Sequence, residues 1–185
     1  MKNRLLISLL PLETKRLIIR ATTTDDVDMI LKMDKQEITQ TFLGGIKNNT
    51  REERIVFLEK KVKSINEGYI DSLTVCLKDG TPIGFIAIKI KEINNNAEIS
   101  YIVDADYCNK GYCTEACKKI LNIGFNKLKL NKIYANTIEN NYSSKRVLEK
   151  LGFKLEGIRR ESAYIQSLNE YKDFLDYGIL KKEYK

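Results

Sequence analysis

The sequence predicts a mixed α/β fold: a twisted, mostly antiparallel sheet of about seven strands with about four helices on both faces. Three observations predict it. From Ile70 the apolar residues change from helical to alternating spacing. SLTVCL, KDGT and PIGFIAIKI then read as a hairpin around Asp79 and Gly80, followed by the strand AEISYIV, Ala97 to Val103. A turn at Gly111 leads into the amphipathic stretch EACKKILNIGFNKL and the strand KIYANTI, Lys132 to Ile138, which together make a parallel crossover. The chain closes on FKLEGIRRESAYI, a QSLNE turn and YKDFLDYGIL, a last hairpin.

The elements are justified in order. LIIRA, Leu17 to Ala21, is a first strand, and TTTDDVDMILKM starts a helix with Thr23 or Thr24 as cap and acids in its first turn. Thr50 and Glu53 stand at capping-box spacing before a second helix, whose apolar residues Ile55, Leu58, Val62 and Ile65 recur at helical spacing. Three antiparallel strands then lead into the Gly111 turn, and NNYSSKRVLEKLGF gives a short helix that ends at Gly152, a residue suited to the left-handed position there.

Length and composition set bounds. The 185 residues suit one domain, 1–185, without a linker, since the only prolines are Pro11 and Pro82 and no low-complexity run intervenes. The apolar start LLISLLPL, Leu5 to Leu12, is too short to span a membrane and precedes no cleavage site, so a cytoplasmic protein without a membrane partner is expected. Of the four cysteines, Cys108, Cys113 and Cys117 crowd one turn and helix while Cys76 stands apart, and their spacing fits no zinc site; inert thiols and no metal are expected. The absence of histidine removes Ser-His and Cys-His nucleophile pairs and the usual base near pH 7. The net charge of +7 is spread among acids, as in KKVKSINEG and RRESAYIQSLNE, so no nucleic-acid partner is expected, although the excess helps to steer a polyphosphate.

The stretch from Cys108 to Leu121, CNKGYCTEACKKIL, carries the chemistry. A helix leaves its first four amides open and places roughly half a positive charge at that end, and Gly111 lacks the Cβ that would keep a pyrophosphate away. On its own such a turn is common.

Together with a second motif it resembles the GNAT acetyltransferases, in the branch typified by ribosomal-protein N-terminal acetyltransferases, with a likeness that runs from TKRLIIRA to the final hairpin. The family's loop Q/R-x-x-G-x-G/A reads here Cys108, Asn109, Lys110, Gly111, Tyr112, Cys113, with the two cysteines as departures. KGYCTEA is similar to the common KGYATEA and brings in Thr114, and NYSSKRVLEKLGF resembles N-x-x-S-x-R-V-L-E-K-L-G-F. The resemblance implies the acyl-CoA N-acyltransferase fold, with a splayed central parallel pair, and acetyl-CoA as co-substrate. Its pyrophosphate is implied on the backbone of the loop, with Lys110 adding a charge contact. The pantetheine is implied along the strand edge at Ile102 and Val103 and beside Asn141, and Ser144 near the thioester sulfur.

The implied reaction is direct attack by an amine on the thioester in a ternary complex. Leu148 stands where many members carry a tyrosine acid, so Ser144 becomes the candidate donor to the leaving thiolate. Glu98 and Glu161 are the candidate bases, acting through water, each equally readable as a solvated strand residue or an ion-pair partner of Arg159 or Arg160. A peptide or protein α-amine is the expected acceptor. The alternatives are a small amine such as a polyamine, antibiotic or amino acid, and a silent acyl-CoA-binding module. The acceptor is expected to be set by the stretch between the first two helices and by the last hairpin, with a monomer or a homodimer left open.

Overall fold

The computed structural model describes residues 1–42 and 49–185; residues 43–48, part of the stretch between the two expected N-terminal helices, lie outside the described residues. Among the described residues one sheet of eight strands runs in the order β1-β2-β3-β4-β5-β6-β8-β7. Its strands are β1 (Leu12–Glu13), β2 (Leu17–Ala21), β3 (Ser72–Leu77), β4 (Pro82–Lys91), β5 (Asn96–Val103), β6 (Lys132–Ile138), β7 (Lys154–Ile165) and β8 (Glu170–Leu180). The helices are α1 (Lys2–Ser8), α2 (Val27–Asp34), α3 (Glu37–Phe42), α4 (Arg51–Asn66), α5 (Tyr112–Asn122), which continues as a π-helical turn, and α6 (Tyr142–Lys150). Every neighbouring pair is antiparallel except β5 and β6, the strands joined by the α5 crossover.

The expected class stands, with one strand and two helices more than the sequence announced. β1 is two residues long, α1 starts at Met1 without a side-chain cap, and α3 is six residues long, so none carries a start signal or a full period. The expected starts are present. The Thr23 N–H donates to Asp26 Oδ2 at 3.0 Å, and Thr50 and Glu53 close their capping box through Thr50 N–H to Glu53 Oε2 at 2.8 Å. Gly152 ends α6 at φ 84°.

Alternation along β4 divides the core between the two faces of the sheet. Ile86 and Ile88 pack with α5, α6 and α1, joined by Ile83 through the irregularity in the pairing with β3 at Pro82–Gly84, whereas Phe85 faces the cluster of Val27, Ile30 and Leu58 from α2 and α4. The two helical layers thus sit on opposite faces, and anything that passes from one to the other must pass through the sheet.

The sheet has such an opening. β5 and β6 pair only from Asn96 to Glu98 against Lys132 to Tyr134, and beyond that they part. Ile102 and Val103 remain paired with Phe85 and Gly84 of β4, so one edge of β5 is held and the other faces the gap. Gly84 sets how closely β4 holds it: a Cβ there would lie 2.2 Å from the Ile102 carbonyl oxygen and 2.9 Å from Val103 Cα.

Candidate active site

A cavity of about 370 Å³ fills the gap between β5 and β6. Its lining joins the two faces of the molecule. Cys108, Gly111 and Ser144 lie toward α5 and α6, and Ile38, Phe42 and Phe174 toward α3 and β8.

The loop above it folds as an anion cradle. Asp104 accepts from the Asp106 N–H at 3.0 Å and starts a short turn, after which Asn109 (φ 59°) and Gly111 (φ 79°) adopt left-handed conformations. Alternation of this kind brings successive amides to one side, and Asn and Gly are the residues that tolerate it. The Glu115 N–H is the first to bond back, to the Gly111 carbonyl at 3.0 Å, which leaves the amides of Tyr112, Cys113 and Thr114 open at the start of α5.

Two sets of side chains brace this loop. From the turn before β2, Arg16 Nε donates to Glu115 Oε2 at 2.6 Å, Nη1 to the Lys110 carbonyl at 2.9 Å, and its guanidinium lies 4.5 Å from the Tyr112 ring centroid. Thr14 Oγ1 and the Arg16 N–H also donate to Glu115. Burial pushes the Glu115 carboxyl up, but these bonds outweigh it and hold the group below its ordinary range. From α2, Lys32 pairs with Asp104 at 2.7 Å and Asp106 at 2.5 Å, while Gln36 donates to Asp104 and accepts from the Ala105 N–H. Burial raises the Asp104 carboxyl, and the Lys32, Gln36 and Asp106 contacts together bring it below the usual carboxylate value.

The expected site residues divide as follows. Ile102, Val103, Cys108, Asn109, Gly111, Tyr112, Cys113, Thr114, Asn141 and Ser144 all line the cavity. Lys110 does not, because its Nζ donates back to the Asp106 carbonyl at 2.9 Å and sits over the Tyr107 ring. Asn141 caps α6, its Oδ1 accepting from the Ser144 N–H at 3.1 Å. Glu98 occupies the last paired position before the strands part, and Asn136 Nδ2 donates to its Oε1 at 3.4 Å. It lines an adjoining polar hollow of about 450 Å³ that shares Asn136 with the main cavity. Glu161 is not among the residues that line the main cavity. It sits exposed on an irregularity of β7 at φ 48°, its N–H donating to Asp173, and does not line the polar hollow beside Glu98 either. Arg159 pairs with Asp176, not with either glutamate.

Some residues that shape the site were not expected. The Tyr101 hydroxyl, reaching from β5, donates to the Ser144 carbonyl at 3.2 Å and lies 3.1 Å from Ser144 Oγ. Burial pushes the Tyr101 phenol well above its ordinary value, and the bond with Ser144 offsets only part of this, so the proton stays on. Arg146 and Lys150 of α6 also line the cavity, one turn apart. The motif S-x-R-V-L-E-K held their signal, two cations at i, i+4 on one helix face. Cys108 Sγ donates to the Val103 carbonyl at 3.6 Å, and burial raises the thiols of Cys108 and Cys117 above their ordinary value. Among the described residues no group of three potential ligands gathers to hold a metal.

An open strand edge, an amide cradle and a hydroxyl pair in one cleft define an acyl-CoA-dependent transferase site. The chain belongs to the GNAT acetyltransferases: the acetyltransferase (GNAT) domain model matches residues 16–154. It is 32% identical over 178 residues to the uncharacterized N-acetyltransferase YoaA of Bacillus subtilis, covering 92% of this chain and 96% of that one. It is 28% identical over 107 residues to the spermidine N(1)-acetyltransferase of Escherichia coli, an alignment that covers 57% of this chain and 56% of that enzyme. The ribosomal-protein-S5-alanine acetyltransferase of Vibrio fischeri shares the fold with a TM-score of 0.79 at 20% identity, covering 94% of this chain and 98% of that one. The protein is an N-acetyltransferase, and its acetyl donor is acetyl-CoA. The site fits that donor: Gly111 leaves open the space beside the cradle that a Cβ would fill, and β5 leaves an edge without a strand partner.

Proposed function

We propose that this protein acetylates the α-amine of a peptide or protein N-terminus. The observation that carries this reading is that three of the four aspartates of the α2 region are already engaged, which leaves Asp25 alone for a polyamine. Arg20 holds Asp26, Arg51 holds Asp28 and Arg54 holds Asp34. A polyamine presents several ammonium groups and needs free carboxylates to receive them; an α-amine presents one. Proton energetics agree. At pH 7 deprotonating an amine of pKa about 10.4 costs roughly 4–5 kcal/mol, against about 1 kcal/mol for an α-amine of pKa 7.7–8. A site without histidine suits the easier proton.

Acetyl-CoA supplies the thioester: the amine nitrogen forms the new N–C bond as the C–S bond breaks. Glu98, held at the fork by Asn136, takes the amine's proton through water. Ser144 Oγ–H donates to the departing sulfur, in the role that Leu148 cannot fill. Tyr101 keeps that hydroxyl in place. Alignment of amine and thioester in one cleft supplies several further kcal/mol. We take residues 1–185 as one domain, acting in the cytoplasm, where four free thiols are at home.

The spermidine-acetylating relative favours a second reading, a polyamine acceptor. Thiol release from acetyl-CoA, measured with peptides of varied first residue and with spermidine, separates the two. A kcat/KM for spermidine above that of every peptide sinks the α-amine assignment. Binding of acetyl-CoA without release to any amine points to the silent module.

A further inference from the structure

A second cavity, of about 210 Å³, lies between α2, α3, α4 and the sheet face that carries Phe85. Ile102 walls both it and the cofactor cleft, so the two meet at one side chain of the open strand. Ile30, Met33, Phe57 and Phe85 make its sides apolar. Thr39, which lines it, is 4% exposed, and its Oγ1 is buried without a hydrogen-bond partner. The charges at its rim are spent, Asp34 on Arg54 at 2.5 Å and Lys61 on Asp71 at 2.8 Å.

Resting on the peptide reading above, we propose that this cavity receives the side chain of the residue bearing the attacking amine, and that it selects an uncharged side chain able to hydrogen-bond Thr39 Oγ1. Its volume is below the roughly 300–1,000 Å³ of pockets that enclose a whole drug-sized ligand, so it suits one side chain. A buried hydroxyl without a partner is unfavourable until a ligand completes it, which makes binding selective for the group that does so. A lysine or glutamate side chain finds no free opposite charge here and is rejected.

The test crosses two isosteric changes. Peptides identical after the first residue begin with Thr or Val, and each is assayed for thiol release with the unmodified enzyme and with Thr39→Val. The unmodified enzyme should prefer the Thr peptide in kcat/KM by about fivefold, and Thr39→Val should remove that preference. Calorimetric binding of the Thr peptide, without acetyl-CoA, should weaken by a similar factor while acetyl-CoA affinity and melting temperature hold. Ser72→Leu, which narrows the same cavity, should depress both peptides relative to one beginning with Gly, and it keeps the test open if Thr39→Val folds poorly. A Thr-to-Val ratio that is equal in the two enzymes, or a Ser72→Leu enzyme with unchanged ranking, overturns this assignment and leaves the peptide reading standing. Acetylation of spermidine with no release from any peptide overturns both.

Discussion

Gly84→Ala offers a clean test of how the cofactor edge is placed. The added Cβ would lie 2.2 Å from the Ile102 carbonyl oxygen, and ordinary contact begins at 3.4 Å, so the strands must separate there by about 3.4 less 2.2, or 1.2 Å. The clash is with backbone, which has no rotamer to turn aside. Overpacking of this kind costs about 1–3 kcal/mol, and in a chain of this size each kcal/mol lowers the melting temperature by about 2–4 °C, so a fall of roughly 2–12 °C is expected. Hydrogen bonds span only about 2.7–3.2 Å, so an edge displaced by that much loses one or two bonds to acetyl-CoA, which weakens binding roughly 5-fold to 30-fold at about 1 kcal/mol each. Gly157→Ala is the control, with nothing within 4 Å of its Cβ. Thermal melting and calorimetric titration with acetyl-CoA decide. A Gly84→Ala protein that matches the control in both measurements refutes the claim that close approach of β4 positions the β5 edge.

Three further outcomes are expected. Ser144→Ala should lower kcat by about 10²-fold and Tyr101→Phe by about tenfold in steady-state thiol release, with acetyl-CoA affinity nearly unchanged; because Tyr101 acts through Ser144, the double variant should be no slower than Ser144→Ala, and full additivity would separate their roles. Arg16→Gln and Glu115→Gln should each weaken acetyl-CoA binding about threefold to tenfold, again without additivity. Since folding depresses the Glu115 pKa, its contribution is complete above the ordinary value of 4.5 and lost as pH falls through the folded value, so titrations below pH 4.5 should show a decline that Glu115→Gln lacks. Finally, acetyl-CoA should protect Cys108 and Cys113 from alkylation followed by mass spectrometry, because both thiols line the cleft, and equal labelling with and without the donor would remove the loop from the cofactor.

What the sequence disclosed and what it hid follow from the range of the interactions involved. The capping box at Thr50, the Asp79–Gly80 hairpin and the left-handed residues Gly111 and Gly152 are local in the chain, and each appears where its residues stand. The pairing of Tyr101 with Ser144 joins residues 43 positions apart, and the bond between Arg16 and Glu115 spans 99. Neither has a spacing that periodicity detects, although both shape the site. Glu161, offered equally as a base or as a solvated strand residue, lies exposed, because the shift in register between Arg159 and Ala163 turns it out to solvent. Glu98 was placed by topology, since only the end of the parallel pairing makes its position the fork of the sheet.

The same long-range contacts tie the two halves of the site together. Along α2 and the turn that follows, Lys32 and Gln36 reach the loop that begins α5 through Asp104 and Asp106, while Ile30, Met33 and Asp34 wall the cavity beside Ile102. Residues three and four apart on a helix share a face, so Ile30, Met33 and Asp34 turn to the second cavity while Lys32 turns to the loop that begins α5. Asp104 is 2% exposed and owes its charge to Lys32, Gln36 and the Asp106 amide, so the position of α2 bears directly on the loop that begins α5. Under the proposed roles of the two cavities, α2 is the element that touches both, through Lys32 at the loop before α5 and through Ile30 and Met33 beside Ile102.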